Sequence, residues 1–134
     1  MKTLNLFILL SLSSLAFADD AAIERYINTH INVMQAQVEQ LYDAIFLLSN
    51  EKLSDQDTFD KIGQPSFQAV DNELQQAEFT PNIYYQFAHK NKNDIDQWLN
   101  DHATKATEID TLQAELDQLM QEYDQLIKRT AAAN

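Results

Sequence analysis

The sequence predicts an all-α protein, an antiparallel helical bundle, on three observations. Apolar residues recur at alternating three- and four-residue intervals over two long stretches, and nowhere do polar and apolar residues alternate at the two-residue period of a strand. The third observation is the scarcity of breakers: the 134 residues include one Gly and two Pro.

The N-terminal segment reads separately from the rest. Lys2 gives a short positive start, residues 4–17 are an apolar run relieved by Asn5 and several Ser, and Ala16-Phe17-Ala18 puts small side chains at the two positions a signal peptidase reads. The run is too short and too rich in Ser to span a bilayer comfortably. The expectation is a secretory signal peptide over residues 1–18, cut before Asp19, and one helical-bundle domain over residues 19–134, in the periplasm or secreted. No stable membrane insertion is expected after cleavage. The chain has no Cys, so an exported domain of this kind is held by packing alone, without the disulfides that brace many small secreted folds.

The first helix follows from Ile27, Ile31, Met34, Val38, Leu41, Ile45 and Leu48, an unbroken a/d heptad seam with Asp19, Asp20 and Glu24 at the positive end of the helix dipole. A short connecting helix comes next, started by Ser54 and Asp57, apolar at Phe59 and Ile62, and stopped by Gly63 and Pro65. Phe67, Val70, Leu74, Ala77 and Glu78 mark a middle long helix that meets Thr80-Pro81. Thr at an N-cap with Pro at N1 starts a fresh segment, so the middle helix is expected to be broken at Pro81. The last helix runs from Ile95 through Trp98, His102, Lys105, Ile109, Leu112, Leu116, Leu119 and Tyr123 to Leu126, with Asn93 or Asp94 as N-cap. Leu99, Ala106, Met120 and Ile127 widen its stripe to a, d and e, the width of a helix facing two neighbours in a bundle. Leu112 and Leu116 are expected in the shared core.

Composition excludes more functions than it suggests. Nine Lys and Arg against 21 Asp and Glu give a net charge of −12, which repels nucleic-acid phosphates and anionic lipid headgroups. One Gly cannot build a phosphate-cradling loop, and no Gly-x-Ser-x-Gly elbow is present. A carboxylate-bridged di-metal bundle needs Glu three residues before His, but Ile27, Gln86 and Leu99 precede His30, His89 and His102. Asp55 and Asp57 begin like a calcium loop, yet Phe59 stands at the third ligand position and Ser66 at the twelfth. A site for a dianionic substrate needs several cations inside the bundle, and the only arginines are Arg25 and Arg129. No catalytic site, metal or cofactor is therefore expected.

Three features exceed what a bare bundle requires. Asp101, Glu108, Glu115 and Glu122 recur every seven residues as an acidic ridge, with Asp110, Asp117 and Asp124 in a second row across the apolar stripe. This pattern reads either as a solubilising margin or as a steering surface for a basic partner. Ile45-Phe46-Leu47-Leu48 points apolar groups all round the helix, so Phe46 and Leu47 need cover from Phe59 and Ile62 or from a partner. Adjacent Tyr84 and Tyr85 diverge by about 100° on a helix and cannot share one seam. The expected function is a noncatalytic module that binds another exported protein, as an assembly factor, chaperone or inhibitor of immunity type, with a basic target as the sharper form and self-association left open. The alternative is a small-ligand or haem-binding four-helix-type bundle, for which His30, Met34 and His102 are the residues to inspect.

Overall fold

A computed structural model describes residues 18–50, 55–58, 60–61 and 64–132. The signal-peptide reading over residues 1–17 and the expected parts played by Ser54, Phe59, Ile62 and Gly63 lie outside the described residues. The fold is all-α. Six helices are present, α1 (Asp20–Asn50), α2 (Asp55–Thr58), α3 (Gln64–Gln76), α4 (Pro81–Lys90), α5 (Lys92–Asp101) and α6 (Ala103–Ala132), and no strand occurs among the described residues. None of the described helices is long and apolar enough to cross a membrane.

α1 is the spine, and α3, α5 and α6 all pack against it. The backbone N–H of Ala18 meets Asp94 Oδ2 at 3.4 Å, and farther along the Tyr42 hydroxyl donates to Glu115 Oε1 at 2.8 Å. The paired positions advance together, so α5 and α6 run parallel to α1. α3 runs the other way, since Glu78, just past its end, returns to within 3.8 Å of Arg25 near the start of α1. The expected antiparallel packing therefore describes α3 against α1, whereas the two longest helices lie side by side in the same sense.

The core sits at one end of this arrangement. Ile23, Tyr26, Ile27, Ile31 and Val33 of α1 are buried with Leu74 of α3, Phe79, Tyr84 of α4, and Ile95 and Trp98 of α5. The α3–α5 segments surround this half of α1, and burial spreads around the helix. Thr29, 3% exposed, returns its hydroxyl to the Arg25 carbonyl at 2.7 Å, which satisfies a polar group that burial would otherwise orphan. Beyond Val38 only Ala44 and Leu48 are buried on α1, and Leu119 is the one buried residue of α6. This second half is an arm of two long parallel helices, joined by the short α2.

Local chemistry sets the boundaries. Asp19 caps α1, its Oδ1 accepting from the Ala22 N–H at 2.7 Å. Thr80 caps α4 with Oγ1 accepting from the Ile83 N–H at 3.2 Å, and Pro81 follows at N1, as the sequence predicts. Between α3 and α4, Glu78 takes φ 60°, with the Phe79 N–H on the Leu74 carbonyl at 2.8 Å and the Glu78 N–H on the Gln75 carbonyl at 3.0 Å. This pair of bonds is a Schellman motif with Glu at the left-handed position that usually holds Gly, and Phe79 and Leu74 supply its apolar contact.

The expected single last helix is two helices. Asn91, not Asn93 or Asp94, stands before α5, and the chain breaks again at His102, with φ −126° and ψ 63°. There the backbone N–H of His102 bonds to the Leu99 carbonyl, three residues back, while the ring Nδ1 lies 2.7 Å from the Trp98 carbonyl. A carbonyl only accepts, so Nδ1 carries the proton and occupies the place of the missing i−4 backbone donor. The imidazole also stacks on the Trp98 indole at 3.6 Å between centroids.

Candidate functional site

The arm of α1 and α6 contains an open groove of about 470 Å³. α1 contributes Gln37, Gln40, Leu41 and Ala44, α2 contributes Thr58, and α6 contributes Gln113, Leu116, Asp117, Met120 and Tyr123. Its origin is legible in side-chain size. Ala44 sits between the helices, 3% exposed, where Ile or Leu would fill the gap, and the glutamines stand along the sides. Leu41, Leu116 and Tyr123 are only half-buried and Met120 is 47% exposed, and among the described residues no third long helix lies over the apolar floor.

The arm is anionic throughout. No Lys or Arg lies between Arg25 and Lys52 or between Lys105 and Lys128. The same stretches of helix carry Glu39 and Asp43 on α1, and Glu108, Asp110, Glu115, Asp117, Glu122 and Asp124 on α6. Gln113 Nε2 donates to Asp117 Oδ1 at 2.9 Å at the groove's side. Opposite the groove, the Glu115 carboxylate accepts from Tyr42, and this contact holds the phenol above its ordinary pKa.

The expected site residues divide between places that do not meet. Glu115 lies on the edge of the arm opposite the groove, and Glu108 and Glu122, seven residues either side, share that edge. Glu108 also pairs with Lys105 at 3.4 Å. Asp101 belongs to α5, beyond the His102 break, and so leaves the ridge. Phe46 is 63% exposed and follows Tyr42 by one turn, on the same opposite edge. Leu47, half-buried, follows Ala44 by three residues on the groove's side of α1. The second acidic row belongs to the groove: Asp117 lines it, with Asp110 and Asp124 one heptad away on either side.

The tyrosine pair separates as its spacing requires. Tyr85 is 69% exposed, whereas Tyr84 is 5% exposed inside the core and is no surface contact. Its hydroxyl shares a hydrogen bond of 2.5 Å with His30 Nδ1. Tyr26, Phe79 and Phe87 close around it, with ring centroids 5.2 to 6.4 Å apart. Burial pushes the Tyr26 and Tyr84 phenols up and the His30 imidazole down, each toward its neutral form. Met34, 2% exposed, packs in the interior of α1's seam. Among the described residues, no group of three or more His, Cys, Asp or Glu side chains is placed to hold a metal ion.

The glutamines at 37, 40 and 113 and the small Ala44 escaped notice in the sequence because none departs from ordinary helix composition. The signal that could have marked the groove is Ala44 beside a seam of larger residues, together with Met120 on the widened stripe. Comparison with known proteins finds no match among family models, curated proteins or solved structures.

Proposed function

We propose that the chain is an exported, noncatalytic protein-binding module, an assembly factor, chaperone or inhibitor that receives a segment of another exported protein in the α1/α6 groove. The observation that supports it is the partly exposed apolar floor of Leu41, Leu116 and Met120, open along two helices with the small Ala44 between them. Apolar surface left exposed on a helical groove favours an apolar face from elsewhere, and the thioether of Met120 adapts its shape to more than one partner. Export rests on the Ala16-Phe17-Ala18 pattern before Asp19. In this reading the molecule is a three-segment bundle, α1 outward, α2 to α4 returning, and α5 with α6 outward again.

A small-ligand reading is favoured by the groove's volume, which falls within the range of small-molecule clefts. Its described lining offers one soft donor, Met120, and no imidazole, a donor set that suits an apolar ligand better than haem. Photo-crosslinking in the producing cells separates these readings. A photoreactive residue at position 120 is expected to give discrete heavier protein adducts that are absent when it stands at position 86, on exposed α4. Identical patterns at both positions would overturn the protein-binding reading, and absence of any adduct at position 120 would favour the small ligand.

A further inference from the structure

We propose that the segment received by the groove is a cationic amphipathic helix, with apolar side chains facing Leu41, Leu116 and Met120 and Lys or Arg along both flanks. This inference rests on the protein-binding reading of the groove and names the chemistry of its occupant. The lining extends over residues 37–44 of α1 and 113–123 of α6, roughly two to three helical turns. That length matches anchors at i, i+3 or i+4, and i+7 of an incoming helix.

Charge decides the flanks. On the α6 rim Asp110, Asp117 and Asp124 repeat every seven residues, about 10 Å apart. On the α1 rim Asp43 follows the lining residue Gln40 by three positions, on the same side of the helix. No Lys or Arg of either long helix falls within these stretches. A row of three carboxylates along one side of the apolar floor and Asp43 beside the other repel an acidic segment and attract a basic one, and a cationic flank also relieves the repulsion among the α6 carboxylates. A second copy of this chain is a poor occupant for the same reason, because its long helices would bring like charges to both rims.

The test uses the full chain and three fluorescent synthetic helical peptides with one common Leu face and with Lys, Gln or Glu on both flanks. The Lys peptide is expected to bind about tenfold more tightly than the Gln peptide at low salt, with the difference shrinking as salt is raised. Both are expected to lose binding in Met120→Lys, which places a cation in the floor. Neutralising Asp110, Asp117 and Asp124 to Asn is expected to remove the Lys peptide's advantage. Neutralising Glu108, Glu115 and Glu122 to Gln, an equal charge change on the opposite edge, is expected to leave most of it. Equal affinity for the Lys and Gln peptides, or tightest binding of the Glu peptide, would overturn the cationic assignment while the groove stands. Equal loss from the two triple variants would show general charge attraction and overturn it too. Failure of every peptide to bind, or binding indifferent to Met120→Lys, would remove the groove reading itself.

Discussion

At Glu78 a single residue carries a backbone conformation that its side chain opposes. A φ of 60° brings Cβ of any residue but Gly close to its own carbonyl, yet the Schellman bonds to Leu74 and Gln75 require it. The compensating ion pair with Arg25 is exposed and 3.8 Å long, so it contributes little. Glu78→Gly is expected to stabilise the protein by about 0.5 to 1 kcal/mol in urea unfolding, because relief of the left-handed strain outweighs loss of that pair. Destabilisation would show that Arg25, which also lies over the Phe79 ring at 4.8 Å, depends on Glu78 for its position. His30 gives the residue scale its pH dependence. Desolvation lowers its pKa in the folded state, so the unfolded chain binds the proton more readily. Its contribution is complete above about pH 6.5 and is lost as the pH falls from there towards the lower folded value. The urea midpoint of His30→Gln is therefore expected to fall less than that of the natural protein between about pH 7.5 and 5.5. A larger fall in the variant would contradict the neutral, buried imidazole.

Among the helices, what the sequence revealed and what it hid have separate physical causes. The α1 seam and the Thr80-Pro81 start were legible because periodicity and cap chemistry are local properties of the chain. The His102 break was hidden because His occupies a regular seam position, and only its ring on the Trp98 carbonyl shows that it replaces a backbone donor. The parallel sense of α1 and α6 was hidden too, since a heptad pattern reads the same in either direction. The same limit affects α6, where periodicity marks Leu112, Leu116 and Leu119 alike but the structure buries only Leu119, at 4% exposure. Leu116 is half-buried at the groove instead of in a shared core. Leu119→Ala is accordingly expected to cost about 2 to 4 kcal/mol, and Leu116→Ala roughly half as much, because part of its surface is already in water. Equal costs measured by chemical denaturation would mean that the groove is closed in solution.

For the whole molecule, the arrangement separates a well-packed head from an open two-helix arm. The head gathers the aromatic cluster, three short helices and most of the buried side chains, while the arm keeps two long helices with a continuous acidic surface. An arm of this kind has carboxylates on both edges and little core of its own; in the proposed function its long-range field would act on approach and the groove would provide apolar contact. The acidic ridge of Glu108, Glu115 and Glu122 was legible as charge, but its distance from the groove was not, because that depends on which side of α6 meets α1. Amide hydrogen exchange on the full chain, with and without the Lys-flanked peptide, tests the proposed docking on the arm most directly. Slower exchange is expected, confined to residues 37–47 of α1 and 110–124 of α6, with the aromatic head unchanged. Protection centred on α3 and α4, or no change along the arm at peptide saturation, would contradict it.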